Sequence, residues 1–303
     1  MAARTEGDAL NDRGLSLLGK GRYAEAIEAH EEAAAFFRRA GNRPDEGIAL
    51  LNAGIALYYA RHHYAAADSL ERAEALVRGG DRHVQGEALY WLGLTLIETG
   101  RHREASTVLR SALGAFIDTA DRDNQTFALL NLGSALQGLR RYDEALKMHE
   151  QAAELFRALG DLRGEAAAVN RIGLGLSELG RFDEALAEHR AAAAICAQVG
   201  DGDGEGAAHD SIGSVLQRMR RYAAAAPAHE RAVALYRKTG SHRAEARALG
   251  NLGVALQGLR RFDEAAAAHR RSIAIFEKHG SPEFLGQART NLRAALGGEE
   301  PAG

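Results

Sequence analysis

The chain of 303 residues contains one cysteine, Cys196, four prolines and one tryptophan, and aromatics make up only 6%. A single cysteine excludes an intrachain disulfide framework and fits a reducing cytosol. Few prolines, with abundant alanine, suit helices and disfavour strands. No run approaches 18 consecutive apolar residues, so no membrane span is expected. The opening MAARTEGDAL has no apolar core, so no signal peptide is expected and a cytoplasmic location follows. An excess of one charge is also missing. The chain has 38 basic and 41 acidic residues, formally -3, which gives no electrostatic reason to expect nucleic acid or an anionic membrane as partner. No GxxxxGK[ST] loop and no HExxH occur. The run Gly202, Gly204, Gly206 follows no strand and reads as a linker.

What the chain has is repetition. Asn251 to Ser272 reads NLGVALQGLRRFDEAAAAHRRS, and Asn131 to Ala152 reads NLGSALQGLRRYDEALKMHEQA, 120 residues earlier. A glycine recurs at Gly14, Gly54, Gly93, Gly133, Gly173, Gly213 and Gly253, in steps of 40, once 39. Nine residues after each stands Tyr23, His63, His102, Tyr142, Phe182, Tyr222 or Phe262, and three further on always an alanine. Small residues at fixed spacing let two helices of a hairpin approach closely. Apolar residues three and four apart, as in Ile172, Leu176 and Leu179, predict two helices, A and B, per repeat. Gly80-Asp81, Gly160-Asp161, Gly200-Asp201, Gly240-Ser241 and Gly280-Ser281 predict a glycine ending each helix B and an Asp or Ser capping the next helix A. Ser281-Pro282 predicts the start of a last helix. Pro227 falls inside a helix B, as a tolerated kink on the exposed side or as a bend that reshapes the array.

The Leu-Gly pair, the aromatic nine later and the alanine twelve later resemble the tetratricopeptide repeat, in 40-residue units similar to those of kinesin light chain and of actinobacterial regulators. The resemblance implies an all-α, right-handed superhelical solenoid of seven hairpins plus a C-terminal capping helix. The units fall at about 6–40, 45–79, 84–119, 124–159, 164–199, 204–239 and 244–279 and the cap at 281–296, a single solenoid over 1–296 with a disordered tail at 297–303.

Candidate chemistry is sparse. His30, His149, His189, His229 and His269 recur seven after the aromatic position, but neighbouring repeats stand about 8–10 Å apart, too far to share a metal, so they read as packing residues. His62, His63 and His83 read as isolated and exposed. Asp-Glu pairs at helix-B starts, such as Asp183-Glu184, complement the helix dipole and recur too often to be a catalytic pair. Cys196 reads as an inert thiol on helix B. Neither an enzyme activity nor a cofactor is expected.

The resemblance places helix A on the inner wall, and the 3.6-residue period then turns positions −6, −3, −2, +1, +4 and +5 from the glycine inward. The candidate groove residues are Asn52, Tyr58, Tyr90, Trp91, Asn131, Gln137, Asn170, Arg171, Asp210, Gln217, Arg218, Arg247, Asn251, Gln257 and Asn291. Asn and Gln carry both donors and an acceptor, so they suit a peptide backbone; the Asn row equally suits bonds to a neighbouring helix. Ile48, Leu51, Ile97 and Phe127 join the aromatic first half, which suits protein recognition or covers the N-terminal segment or a second copy of the chain. The expected function is a non-enzymatic scaffold for a protein or peptide, with self-association possible. The alternative is a sensor module controlling a separate transcription factor or enzyme. The lysine and asparagine set that clamps a chaperone carboxylate in some members is missing.

Overall fold

The structure, a computed structural model, describes residues 5–279 and 282–298. Among the described residues every regular element is helical. The chain divides into two compact units, Met1–Leu155 and Phe156–Gly303. The first holds α1 (Glu6–Gly19), α2 (Tyr23–Arg39), α3 (Arg43–Tyr59), α4 (His63–Val77), α5 (Arg82–Glu98), α6 (His102–Asp118) and α7 (Arg122–Gly138). The division falls within α8 (Tyr142–Leu159). The second holds α9 (Leu162–Glu178), α10 (Phe182–Val199), α11 (Gly202–Arg218), α12 (Tyr222–Thr239), α13 (His242–Gly258), α14 (Phe262–Lys278) and α15 (Leu285–Leu296).

In the first unit α1, α3, α5 and α7 touch in succession, and in the second α9, α11, α13 and α15 do the same. Helix A therefore lies beside helix A, and helix B packs behind. The repeated glycine makes this possible. A Cβ at Gly14, Gly133, Gly173, Gly213 or Gly253 would lie 2.5, 2.3, 2.6, 2.5 or 2.4 Å from the ring of His30, His149, His189, His229 or His269. No nonbonded carbon sits that close, so the imidazole stacks on bare backbone. Gly54 and Gly93 meet Leu70 and Leu109 in the same seat, each at 2.5 Å. Histidine and leucine thus fill equivalent places, which marks the imidazole as a packing group.

The turns repeat as faithfully. After each helix A the backbone N–H of Arg22, His62, Arg101, Arg141, Arg181, Arg221 or Arg261 returns to a leucine carbonyl five residues back. That bond needs a left-handed residue just before it. Gly180 supplies it at φ 76, but Arg140, Arg220 and Arg260 adopt it too, at 59, 56 and 60. Asp121, Asp161 and Asp201 then cap α7, α9 and α11 by accepting from the N–H three residues on.

Three local expectations change, and Pro227 takes the first of its two readings. The left-handed glycine ahead of Asp81 is Gly79, not Gly80, because α4 stops at Val77. Ser241 makes no side-chain cap; its hydroxyl donates to Asp203 at 2.7 Å. Pro282 opens a 3-10 turn through Phe284 and α15 begins at Leu285, while Gly280 and Ser281 lie outside the described residues. Pro227 sits exposed within an unbroken α12, so the bond its nitrogen cannot donate is lost on the solvent side. Of the tail expected at 297–303, residues 299–303 lie outside the described residues.

Two charge patterns join this frame. Arg22, Arg101, Arg141, Arg181 and Arg261, each just before a helix B, hold Glu25, Glu104, Glu144, Glu184 and Glu264 three residues on, and the hydrogen bond lowers each carboxyl pKa. Arg38, Arg157 and Arg237, near helix-B ends, reach Glu46, Glu165 and Glu245 of the next helix A at 2.6, 2.8 and 2.9 Å. These three glutamates are buried, so the pairs tie one hairpin to the next.

Candidate functional site

Behind the helix-A wall the buried histidines find polar partners three residues before the glycine. His30 Nδ1 lies 2.7 Å from Asn11 Oδ1, His189 Nδ1 2.6 Å from Asn170 Oδ1, and His229 Nδ1 2.8 Å from Asp210 Oδ1. Burial lowers the pKa of His30, His189 and His269 to about 4, so these rings are neutral at pH 7. Asp210 is 5% exposed. Burial alone would raise its pKa, but His229, Asn251 and Arg247 together outweigh it and leave the carboxyl lowered.

The asparagine row bonds to the preceding helix A. Asn52 Nδ2 donates to Asn11 Oδ1 at 3.1 Å, Asn251 Nδ2 to Asp210 Oδ1 at 3.0 Å, and Asn131 Nδ2 to the Tyr90 hydroxyl at 3.3 Å and the Phe127 carbonyl at 2.8 Å. Gln217 donates to the Asn251 carbonyl at 2.7 Å. Of the two roles open to the asparagines, the donor ends take the structural one. Gln257 is corrected more strongly: it is buried, its Oε1 3.1 Å from His269 Nε2, and it supports the wall from behind instead of facing a ligand. Asp210 is buried too, yet it is part of the lining of the second unit's cleft. Leu51 is likewise core. Asn291, on α15, accepts from Gln287 at 2.8 Å.

In the second unit the wall opens into a cleft of about 550 Å³. Ala167, Asn170, Arg171 and Leu174 of α9, Ala207, Ser211 and Ser214 of α11, and Arg247 and Asn251 of α13 line it. These are −6, −3, −2 and +1 positions of three successive helices A; Asp210, another −3 position, and Ala192 and Cys196 of α10 line the cleft with them. Arg171 is exposed, yet the surrounding walls displace enough water to lower its pKa. Arg247 Nε lies 3.4 Å from Asp210 Oδ2, so the outer guanidinium is anchored from below. Arg218 bridges Ser177 and Glu178 at 2.7 and 2.8 Å. Cys196 lies at the cleft's edge, buried, its thiol pushed up to about 11 chiefly by burial.

In the first unit the wall is aromatic. Tyr58, Tyr59, Tyr90 and Trp91 touch edge to face with centroids 5.6–5.8 Å apart, and Tyr59 stacks on Tyr23 at 5.9 Å. Burial pushes the Tyr90 phenol up to about 12. Tyr59 is 48% exposed. Gln137 is half-buried on the same row. His63 departs from expectation: it is half-buried, 5.4 Å edge-on to Tyr58, with both ring nitrogens shielded. His83 is also half-buried, its Nδ1 3.3 Å from Asp121.

The architecture defines a helical-hairpin repeat protein with a polar cleft in one unit and an aromatic wall in the other. The tetratricopeptide repeat profile matches residues 5–79, 86–115, 125–198, 164–238 and 205–278. The chain belongs to the tetratricopeptide repeat family. Solved structures with the same fold include the apo form of RapI, 13% identical over 97% of each chain with a TM-score of 0.67. NprR in complex with its cognate peptide NprX is 14% identical over 98% of this chain and 84% of that one, with a TM-score of 0.62. A signal transduction ATPase with a tetratricopeptide repeat sensor, from Pyrococcus horikoshii, is 15% identical with a TM-score of 0.69, matching 96% of this chain and 43% of that one. Kinesin light chain-like repeats from Podosopora anserina also match, at a TM-score of 0.57 over 66% of this chain. No curated protein matches the sequence. Among the described residues no helix is long and apolar enough to cross a membrane, and no three His, Cys, Asp or Glu side chains cluster as a metal would require.

Proposed function

We propose that the chain is a non-enzymatic scaffold that binds a peptide or protein segment along its helix-A wall. The observation that carries this reading is the cleft of the second unit, whose lining includes inward positions of three consecutive repeats. A surface that advances by one helix at a time suits an extended ligand better than a compact one. Arg171, Ser211 and Ser214 offer it donors and acceptors, and Asn251 keeps its Oδ1 for a backbone N–H while its amide group holds Asp210. NprR, which has this fold, was solved with a peptide bound. That supports a peptide as the ligand class here.

The second reading, a sensor module for a separate regulator or enzyme, is favoured by one finding. The Pyrococcus protein, of which the match covers under half, carries a tetratricopeptide repeat sensor. Both readings use the same wall.

The test takes a peptide selected on the full chain from a random display library and labelled with fluorescein. Arg171→Ala should weaken binding about tenfold by anisotropy, the loss typical of an interface anchor, with helix content unchanged by circular dichroism. Unchanged affinity removes the cleft as the binding surface. Asn131→Ala and Asn251→Ala are poorer probes, because both also break bonds between helices.

A further inference from the structure

The two units treat one equivalent position differently. In the second, Arg218 stands five residues after Gly213 and Glu178 five after Gly173. The Arg218 guanidinium lies over the Phe182 ring, 5.2 Å from its centroid, and its Nη1 donates to Glu178 Oε1 at 2.8 Å. An acid, a ring and a cation satisfy one another there.

The same register in the first unit sets Glu98, five after Gly93, beside Gly138, five after Gly133. Gly138 brings no cation. His102, in the place of Phe182, lies against its backbone, 2.5 Å from where a Cβ would be. Glu98 is exposed and forms no ion pair among the described residues. On the preceding repeat stand Tyr58 and Tyr59, which with Trp91 form three mutually inclined rings at 61–83°. Glu98 lies close enough that its charge, after burial, helps to raise the Tyr58 phenol pKa. Arg61 acts on Tyr58 from the turn but does not pair with Glu98. An aromatic surface beside an unanswered carboxylate attracts a cation through the ring faces and the charge together.

We propose that Tyr58, Tyr59, Trp91 and Glu98 bind an arginine or lysine side chain of a basic peptide segment, the ligand's cation doing for Glu98 what Arg218 does for Glu178. This rests on the peptide-binding reading and specifies which charge the first unit selects. The second unit supplies its own cation and has no need of the ligand's.

Three pools of random decapeptides, alike except for a fixed central Arg, Ala or Glu, are titrated against the full chain and followed by Trp91 fluorescence. The Arg pool should bind about tenfold more tightly than the Ala pool, and the Glu pool more weakly than either. Glu98→Gln, an exposed and nearly isosteric change, should erase the Arg preference and leave the Ala-pool affinity as it was. A preference that survives Glu98→Gln, or three equal affinities, overturns the cation site while leaving the peptide reading intact. Failure of every pool to bind overturns both.

Discussion

His229→Leu should destabilise the second unit by about 3 kcal/mol, the cost of stranding a buried charge. The volume change is small, and Leu70 and Leu109 already occupy the equivalent seat against Gly54 and Gly93. The loss therefore comes from Asp210, which is 5% exposed and would keep only Asn251 at 3.0 Å and Arg247 at 3.4 Å. The double variant Asp210→Leu with His229→Leu recreates the pair found in the second repeat, where Leu51 and Leu70 hold the same two positions and are both core. It should recover most of the stability, because an apolar pair of fitting volume replaces a buried polar pair at little cost. Urea unfolding of the single and double variants checks this. A single variant as stable as the double would mean that Asp210 gains nothing from the imidazole.

Acid should weaken both units well before the carboxylates titrate. His30, His189 and His269 have folded-state values of about 4 against an ordinary 6.5. Above pH 6.5 these rings are neutral whether the chain is folded or not, so nothing changes with pH. Between 6.5 and 4 the unfolded chain binds protons that the folded chain refuses, and stability falls with pH. Each ring contributes at most about 3 kcal/mol by the bottom of that window. His30 lies in the first unit and His189 and His269 in the second, so acid should weaken both. Asp210 adds to the loss only lower down, as pH falls through a carboxyl value below the ordinary range. Thermal unfolding followed by circular dichroism from pH 7.5 to 4.5 gives the slope, and His30→Leu should make it shallower. A melting temperature constant across this window would show that the buried imidazoles take up protons without opening the fold.

Most of the fold was legible because one unit is written seven times. The glycine ruler located every helix A, and the aromatic nine residues later marked every helix-B start within a residue. What misled was local. Gly80 looked like the cap because the pattern assumes a helix B of constant length, and α4 has 15 residues where α2 and α6 have 17. Ser281-Pro282 looked like a helix start, yet the chain makes a 3-10 turn before α15. The inner positions were legible as a set, since periodicity says which way a residue points. Periodicity does not say how deep it sits, and this is why Gln257 was placed with the groove when it supports it from behind, and why the burial of Asp210 was not foreseen. A signal for Asp210 was present: His30, His189 and His229 each follow Asn11, Asn170 or Asp210 by nineteen residues, a polar pair repeated across two helices. The ion pair between Arg218 and Glu178 was harder to see, because its partners are 40 residues apart and recur in no other repeat.

The account stands on the helix-A wall being the surface that holds a ligand. Site-specific photo-crosslinking addresses this most directly, with benzoylphenylalanine placed at Ser214 on the wall or at Arg190 on the exposed side of α10. A selected peptide should be captured from position 214 and not from position 190. Capture from 190 alone would put the ligand on the helix-B face and contradict the account.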